Sequence, residues 1–392
     1  MKQVISTERK PIKMWLDDLE HGAIQQAKNL ANLPFLFKHV AIMPDSHQGY
    51  GMPIGGVLAT EGVVICNAVG VDIGCGMCSI KTSIRTEEIP DIDFPKLMNL
   101  IRKRIPVGFN HHQNKQDQKW LPDGVDGLPK GGNILKELKS SLRQVGTLGG
   151  GNHFIEIQAG DDGFVWVMIH SGSRNLGYKT ARHHNTIAKE INKKHWSEVP
   201  PSWDMAFLLI ESQEGQDYIK ELNYATKFAL ANRALMMETV KECLIDTVGW
   251  GVTFDPMINK PHNFAEMEHH FGRNVMVHRK GACRARNGEV GMIPGSQGTH
   301  SYIVKGKGEK ESFESCSHGA GRLMGRKAAQ RELDFDAEVA RLNAMGVYHT
   351  LESVKQLDEA PSAYKDIDIV MENQSDLVET LVKLRPLAVV KS

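Results

Sequence analysis

The chain has 392 residues with 47 Lys and Arg against 47 Asp and Glu, so its formal net charge at pH 7 is zero. A neutral chain has no global field that would hold an anionic polymer, which argues against a basic protein that coats nucleic acid. Charged residues make up 24% of the chain and hydrophobic residues 41%, and these ordinary values exclude intrinsic disorder, collagen-like repeats and a coiled coil. Histidine and glycine are frequent, with 17 and 37 residues.

The N-terminal segment and the cysteines indicate the compartment. No run of about 18 apolar residues occurs, and Lys2, Glu8, Arg9 and Lys10 place charges where a signal peptide needs an apolar stretch. Six cysteines in 392 residues are too few for a disulfide framework, so we expect free thiols. The sequence therefore predicts a cytoplasmic protein without a membrane partner.

Short apolar runs rich in β-branched residues alternate irregularly with longer segments of helix-forming residues. The runs predict strands at residues 39–43, 62–65, 164–169, 274–277 and 302–304. The longer segments predict helices at residues 94–105, 179–194, 216–245, 321–332 and 366–384. The polar stretch 108–132 predicts a surface loop. No repeat or linker divides the chain, so the pattern predicts one large domain over residues 1–392 with a mixed α/β or α+β fold.

The first polar motif follows the predicted strand at residues 39–43. Asp45 and His47 lie two residues apart, at the start of a glycine-rich loop that runs to Gly56. A carboxylate and an imidazole presented together suit a polar site. A tight turn capped by an Asx side chain is the structural alternative, and both interpretations remain open.

The second motif, residues 70–78, offers a carboxylate and thiols from one compact turn. Asp72 supplies a hard oxygen and Cys75 a soft thiolate that can bridge two metal ions. Cys75 and Cys78 also form a C-x-x-C pattern, typical of a redox pair or half of a zinc site. A second C-x-x-C is absent and a redox pair would not account for Asp72, so we favour metal ligation by Asp72 and Cys75. Cys78 is then expected to be a buried small hydrophobe.

Two further glycine-rich motifs carry histidines. His153 follows the glycine run 149–151, and His170 ends the predicted strand 164–169 before a small-residue turn that contains Arg174. This arrangement commonly places an imidazole ligand beside an anion-binding loop. A single histidine is more often a hydrogen-bonded core residue, but together with Asp72 and Cys75 these two indicate a set of metal ligands.

The motif 261–264 contains His262 and is followed by a basic run. A run of charges is usually a solvated face, and a local phosphate-binding patch is the second interpretation. The run consists of Arg273, His278, Arg279, Lys280, Arg284 and Arg286.

The last two motifs, residues 293–302 and 315–322, are rich in Gly and Ser. Successive backbone amides in such segments form a concavity for phosphate oxygens, and the helix predicted after His318 would add its partial positive charge. His318 is thus expected to meet a phosphorus atom. Neither motif matches a Walker A loop or a Rossmann fingerprint, so a nucleotide site here would be of a different type.

The seven motifs in this order resemble the RtcB family of GTP- and manganese-dependent RNA ligases, over essentially the whole chain. The segments VDIGCG at 71–76, GNHFIE at 151–156, HSGSR at 170–174 and SHGAGR at 317–322 carry the resemblance. It implies an α+β domain with mixed and antiparallel sheets and surrounding helices around a central metal and nucleotide cleft. It also implies two Mn²⁺ ions, whereas ligand softness alone would favour zinc.

The resemblance assigns a role to each matching position. His318 and Asp45 are implied in catalysis, His318 as the nucleophile and Asp45 as a proton acceptor, while Glu156 and Lys391 would read the guanine. The implied metal ligands are Asp72, bridging Cys75, His153, His170 and His262. The implied GTP contacts are Asn152, His153, Phe154, Ile155, Glu156, His262, Asn263, Pro294, Gly295, Ser296, Gln297, Ser301, His318, Gly319, Ala320, Gly321 and Lys391.

The implied reaction joins an RNA end that bears a 3′-phosphate or a 2′,3′-cyclic phosphate to a 5′-hydroxyl end. His318 would take GMP from GTP and pass it to the RNA 3′-phosphate, and the 5′-hydroxyl would then displace GMP. Two alternatives compete with this hypothesis. One is a two-metal cyclic phosphodiesterase that works without nucleotide, and the other is a non-catalytic redox or zinc site at Cys75 and Cys78. We expect a monomer, and the sequence does not indicate which accessory proteins it binds.

Overall fold

Two large sheets form the framework of the structure, a computed structural model that describes residues 1–249 and 251–392. The strands within these residues are β1 (Gln3–Ile5), β2 (Ile12–Met14), β3 (Leu36–His47), β4 (Ile54–Thr60), β5 (Val63–Ile65), β6 (Gly76–Arg85), β7 (Phe154–Gly160), β8 (Phe164–Ser171), β9 (Phe207–Leu209), β10 (Ile258–Pro261), β11 (Asn263–His270), β12 (Arg273–Lys280), β13 (Ala282–Arg284), β14 (Val290–Ile293), β15 (Ser301–Gly306), β16 (Ser315–Ser317) and β17 (Val378–Val390). The helices are α1 (His21–Ala31), α2 (Phe94–Arg104), α3 (Asn133–Ser141), α4 (Arg174–Lys194), α5 (Gln213–Val248), α6 (Arg326–Glu332), α7 (Phe335–Ala344) and α8 (Ile367–Glu372).

The two sheets are dominated by antiparallel pairing. The six-stranded sheet has the order β1-β2-β3-β4-β12-β11, and within it β2 and β3 pair in parallel. The seven-stranded sheet has the order β10-β6-β8-β7-β17-β15-β14 with antiparallel pairing throughout. The predicted α+β class is confirmed. That residues 1–392 form one domain stays a prediction.

The main core lies between one face of the seven-stranded sheet and helices α2 and α5. Apolar side chains from alternate positions of β6, β7 and β8, such as Ile80, Ile155 and Val167, pack against Met236 and Val240 of α5. Each such side chain stabilises the fold by roughly 1.5–3 kcal/mol when fully buried. This core holds the sheet rigid, so that the loops at its edge can be placed accurately.

Most predicted elements are present. Each of the five predicted strands lies largely within a strand, and the helices at 94–105, 179–194 and 216–245 correspond to α2, α4 and α5. Residues 108–132 form a loop with two short 3-10 turns, as predicted. The six cysteines are buried free thiols, and Cys78 is a fully buried member of the main core, as expected. Within the described part of the chain, no helix has the length and apolarity needed to cross a bilayer.

The predicted helix at residues 366–384 is wrong over its second half. Helix α8 ends at Glu372, and β17 begins at Val378. β17 pairs with β15 on one side and with β7 on the other, so hydrogen bonds to distant segments override a local pattern that also fits a helix. Pro386 is accommodated at a shift in the register with β7, where a missing N–H costs little.

The helix predicted at residues 321–332 begins later than expected, at Arg326. Gly321 adopts φ +74°, a left-handed conformation that interrupts a helix, and Gly325 precedes the first helical residue. His318 therefore follows strand β16 and does not lie at a helix N-terminus. The predicted contribution of a helix dipole at His318 is wrong.

Candidate metal and nucleotide site

The edge of the seven-stranded sheet brings the predicted metal ligands together. Cys75 precedes β6, His153 precedes β7, and His170 lies near the end of β8. In the sheet register His170 is opposite Met77 of β6 and Phe154 of β7. Because the strands run antiparallel, residues 75, 153 and 170 meet at one edge although they are far apart in sequence.

The resulting cluster has donor atoms at short range. The Sγ atom of Cys75 lies 3.4 Å from Nε2 of His153 and 3.3 Å from Nε2 of His170. Oδ2 of Asp72 lies 3.2 Å from the same Nε2 of His153. One ligand atom from each of Cys75, His153 and His170 falls within 4.8 Å of the others. Buried sulfur and nitrogen donors aimed at one point are suited to a transition-metal ion.

One backbone carbonyl orients His153 and also holds the residue that follows His170. Nδ1 of His153 lies 2.9 Å from the carbonyl oxygen of Leu148, which can only accept, so His153 carries its proton on Nδ1. Its Nε2 lone pair then points toward Cys75 and Asp72. The same carbonyl accepts a hydrogen bond from Ser171 at 2.7 Å, which fixes the loop beside His170. Such partners commonly set the tautomer of metal-binding histidines.

Burial controls the protonation of the cluster. It lowers the pKa of His170 well below the usual value, with nearby His153 adding to the effect, so His170 is a neutral imidazole with a free lone pair. Burial and the adjacent Asp72 carboxylate raise the pKa of Cys75 well above the usual value. Burial alone would raise the pKa of Asp72, but the interaction with the adjacent His153 imidazole brings it below the usual value. The cluster thus has one carboxylate whose charge a cation would neutralise.

His262 lies between the cluster and His318. Its ring centroid is 5.0 Å from that of His170 and 4.7 Å from that of His318. The backbone N–H of His262 donates to the carbonyl of Cys75 at 2.7 Å, which ties β10 and β11 to the cluster. Nδ1 of His262 is buried without a hydrogen-bond partner. An orphaned buried nitrogen in this place fits a metal ligand, because an unpaired polar atom would otherwise cost about 1–3 kcal/mol.

Asp45 and His318 form a buried pair. Nδ1 of His318 lies 2.6 Å from Oδ2 of Asp45, and the same oxygen accepts the backbone N–H groups of His318 at 3.1 Å and Gly319 at 3.3 Å. Asp45 is fully buried. Burial alone would raise its pKa, but the interactions with His318 bring it below the usual value, so Asp45 is a carboxylate. It therefore holds the proton of His318 on Nδ1 and leaves the Nε2 lone pair free.

A cleft opens beside this pair. It is lined by His170 and by twelve of the residues predicted to contact the nucleotide: Asn152, Phe154, Glu156, Pro294, Gly295, Ser296, Gln297, His318, Gly319, Ala320, Gly321 and Lys391. Four of the other predicted contacts do not line the cleft. Ile155 belongs to the main core, Asn263 bonds to the backbone of Asp72 and Gly281, Ser301 accepts the N–H of Gly295, and His262 has been described above.

One end of the cleft carries an ionic network that sequence reasoning missed. Glu359 is buried, and its carboxylate bonds to Nζ of Lys391 at 2.9 Å and to Nη1 of Arg322 at 3.2 Å. Tyr364 donates to the same carboxylate. No local motif surrounds Glu359 in the sequence, and only tertiary structure brings it to Lys391. The unpredicted residues of the lining are His47, Ile54, Arg322, Arg326, Glu359, Tyr364 and Val389.

Glu156 lies in the same wall of the cleft, where β7 pairs with β17. Val389 is its register partner, which places Lys391 two residues further along β17. Glu156 is buried, and burial raises the pKa of its carboxyl group to about 8, with Gln158 and Lys391 opposing the shift. Glu156 is thus a buried acceptor whose charge is not neutralised by a salt bridge, while Lys391 pairs with Glu359 instead.

The basic run at 273–286 does not form an open phosphate-binding patch, so that interpretation is wrong. Arg279 is fully buried and ion-paired with Glu268 of the neighbouring strand β11. Arg284 pairs with Glu266 at 2.8 Å and Arg273 with Glu61 at 2.6 Å. Carboxylates that lie far from most of these cations in sequence or on another segment of the fold neutralise them, a relationship that the run itself does not show.

Comparison with known proteins assigns the chain to a class of RNA-splicing ligases. A sequence model described as tRNA-splicing ligase RtcB matches residues 26–392. The chain is 39% identical over 410 residues to RNA-splicing ligase RtcB of Escherichia coli K12, with 99% of each chain covered. It is 32% identical over 461 residues to tRNA-splicing ligase RtcB of Thermococcus kodakarensis, which covers 98% of this chain and 95% of the relative. The chain therefore belongs to the RtcB family and is an enzyme of that family, and the predicted resemblance is confirmed.

Proposed function

We propose that this enzyme joins RNA 3′-phosphate or 2′,3′-cyclic phosphate ends to 5′-hydroxyl ends, using GTP. The observation that carries the proposal is the pair formed by His318 and Asp45 in the wall of the cleft. A neutral imidazole with a fixed Nδ1 proton and a free Nε2 is a competent nucleophile toward phosphorus near neutral pH. Asp45 keeps His318 in that form and stabilises the positive charge that develops during attack.

The donor set supports a metal centre next to this nucleophile. Asp72, Cys75, His153, His170 and His262 would hold two Mn²⁺ ions. Bound there, the ions would supply charge neutralisation for phosphoryl transfer. The choice of manganese rests on family membership, since the soft donors alone also suit zinc.

The other wall of the cleft is suited to a guanine base. Guanine presents N–H donors at N1 and N2, and the carboxyl group of Glu156, which has no salt-bridge partner, would accept from both once it is ionised. Lys391 is a donor near the same wall, and Phe154 contributes an apolar surface. On the side of His318 the cleft is lined by Gln297, Ala320 and Gly321, whose backbone amides would donate to phosphate oxygens, whereas the amides of Gly295, Ser296 and Gly319 already donate to Ser301, Thr299 and Asp45.

The reaction then proceeds in three transfers. Nε2 of His318 forms a bond to the α-phosphorus of GTP while the bond to the β-phosphate oxygen breaks, and pyrophosphate leaves. An oxygen of the RNA 3′-phosphate next attacks the same phosphorus and releases His318. The 5′-hydroxyl finally attacks the RNA phosphorus, loses its proton and displaces GMP. A 2′,3′-cyclic phosphate is first opened by water to the 3′-phosphate.

The test is covalent labelling with GTP that carries the label in its α-phosphate. With Mn²⁺, we expect acid-labile label on the wild-type protein and none on His318→Ala. Cys78→Ala is the matched control and keeps the label, because Cys78 lies in the core behind the cluster. A protein that opens cyclic phosphates without GTP and without His318 would instead be a two-metal phosphodiesterase. No labelling of the wild type, or unchanged labelling of His318→Ala, would refute the proposal.

The same proposal covers the setting of the enzyme. We infer one domain over residues 1–392, a monomeric cytoplasmic protein, and RNA and GTP as its binding partners. Gel filtration with light scattering tests the oligomeric state.

A further inference from the structure

Helix α4 is strongly basic in a protein of zero net charge. Between Arg174 and Lys194 it contains six Lys or Arg residues and a single acidic residue, Glu190. A cationic helix on a neutral chain concentrates the local field on one surface. The cations are Arg174, Lys179, Arg182, Lys189, Lys193 and Lys194.

Four exposed side chains of α4 share one face. They are Tyr178 and, 4, 11 and 15 residues after it, Arg182, Lys189 and Lys193. At about 100° per residue these spacings place the four side chains within about 60° of one another around the helix. The opposite face, which includes Leu176 and Ala188, is buried. The four side chains span about 22 Å at about 1.5 Å per residue. We refer to them, with Tyr50 and Trp196, as the α4 face.

Three exposed aromatic rings accompany these cations. Tyr178 is 42% exposed, Tyr50 is 53% exposed, and Trp196, just beyond the helix, is 91% exposed. The Arg182 guanidinium lies 5.6 Å from the centroid of Tyr178, and Nζ of Lys189 lies 5.8 Å from that of Tyr50. Aromatic side chains of this size are normally buried. Three exposed ones along one basic face therefore indicate a ligand with flat surfaces.

The α4 face begins beside the candidate metal site. Arg174, the first helical residue, follows Gly172, where an added Cβ would lie 2.3 Å from Oδ1 of Asp72. Tyr50 comes five residues after Asp45 on the loop that follows β3. A strand of nucleic acid that leaves the reacting centre along α4 would therefore meet Tyr178 and Arg182 first and Trp196 last.

We propose that the α4 face binds the single-stranded RNA that flanks the ends to be joined, an inference that rests on the proposed function. Arg182 and Lys193 have no salt-bridge partner within the described residues and are free to contact phosphates. Asp204 already accepts hydrogen bonds from Nζ of Lys189 at 2.9 Å and from the Tyr50 hydroxyl at 2.6 Å. These two residues would therefore contact the RNA through the Tyr50 ring and the aliphatic part of the Lys189 side chain. Unpaired bases stack on aromatic side chains, whereas bases inside a duplex cannot.

The test compares RNA binding with GTP-dependent labelling in the same proteins. The double variant Arg182→Glu/Lys193→Glu and the single variant Trp196→Ala are assayed with a single-stranded RNA of about twelve nucleotides, which exceeds the span of the face. We expect the double variant to lose about tenfold or more in affinity, with a shallower dependence on salt. Trp196→Ala should lose about fivefold, as expected for one stacked base. Covalent labelling from GTP should stay unchanged in both.

Lys194→Glu is the matched control, because Lys194 is an exposed cation of the same helix that lies about 100° around from Lys193. It should keep wild-type RNA affinity within about twofold, since a cation that points away from the bound strand neutralises no phosphate and releases no counterion. An equal loss in Lys194→Glu, or wild-type RNA affinity in all variants, would overturn the proposal and leave the face to a protein partner. Because labelling from GTP needs no RNA, failure of labelling in the wild type would refute the proposed function separately.

Discussion

Oδ2 of Asp45 accepts three hydrogen bonds that all come from His318 and Gly319, and the shortest, from Nδ1 of His318, is 2.6 Å. A single buried oxygen thus fixes both the backbone and the ring of the candidate nucleophile. Asp45 lies on β3 of the six-stranded sheet, whereas His318 follows β16. The relationship therefore depends on two segments that are 273 residues apart.

Asp45→Asn tests whether the carboxylate sets the tautomer of His318. The amide can donate to Nδ1 and would then move the ring proton to Nε2, which removes the nucleophilic lone pair. We expect the rate of labelling from GTP to fall by about 10³-fold or more, by analogy with triad carboxylates in hydrolases. Single-turnover labelling measures the rate, and a thermal melt close to that of the wild type shows that the fold is retained. A rate within a few-fold of wild type would contradict this role.

Measuring metal binding in two variants should distinguish the role of Cys75 from that of Cys78. Cys75→Ser replaces the soft donor at 3.3–3.4 Å from two histidines and should abolish stoichiometric metal binding, measured by elemental analysis and by titration with Mn²⁺. Cys78→Ala removes a buried thiol from the core and should lower stability by about 1–2 kcal/mol while metal content is unchanged. The reverse pattern would favour a structural C-x-x-C site.

Binding of GTP should depend on pH through Glu156. Burial raises the pKa of Glu156 to about 8, so in the free protein its carboxyl group is largely neutral at pH 7 and ionised at pH 9. Because only the ionised form accepts both guanine N–H groups, affinity for GTP should rise by about tenfold between pH 7 and pH 9. Calorimetry on the wild type and on Glu156→Gln measures the effect, and the variant should bind GTP weakly with a flatter profile. An identical pH profile in the two proteins would exclude Glu156 as the titrating group.

Sequence and structure agree best where a functional residue belongs to a local motif. A glycine-rich turn at the end of a strand lies next to each of Asp72, Cys75, His153 and His170. The sequence pattern predicts where such strands end. The structure brings these four residues together at one sheet edge. Glu359 lacks such a signal, since its partners Arg322 and Lys391 come from segments that only the fold makes adjacent.

Two of the wrong predictions have a common physical cause. Residues 378–384 have a pattern that fits a helix when considered alone, but β15 pairs along them, and β7 pairs with the strand from Leu384 onward. Likewise the sequence presents Arg279 as a surface cation in a basic run, but in the structure it is buried in an ion pair with Glu268 of β11. In both cases a non-local partner decides the outcome, and a window of sequence does not contain it.

A buried hydrogen-bonded pair of an imidazole and a carboxyl group, outside the candidate site, provides a test of stability. Nε2 of His184 on α4 lies 2.6 Å from Oε2 of Glu221 on α5, and the other oxygen of Glu221 accepts the N–H of Ile134 at 2.7 Å. Glu221→Ala leaves a buried imidazole and a buried N–H without partners and should cost about 3–5 kcal/mol. Urea unfolding measures the change. Glu238→Ala, which removes a 52% exposed partner of Lys241, should cost less than about 1 kcal/mol.

A pair of glycine substitutions tests whether close packing against Asp45 is needed for activity. Gly321 has φ +74°, and a Cβ there would lie 2.0 Å from the carbonyl oxygen of Asp45. Gly321→Ala must therefore displace the backbone that presents the carboxylate to His318, and it also forces a left-handed alanine, which costs about 1–2 kcal/mol. We expect labelling from GTP to fall by about 10²-fold, since small misplacements of a reacting group carry penalties of that size.

Gly325→Ala is the matched control four residues away. A Cβ at Gly325 has no heavy atom within 4 Å, and its φ of −65° is accessible to alanine, so labelling should equal that of the wild type. Labelling and thermal melting are measured on both variants, because a loss of stability alone would affect folding without a change in the rate per folded molecule. If Gly321→Ala folds and labels at the wild-type rate, the contact with Asp45 does not set the position of His318, and the positioning role of that backbone fails.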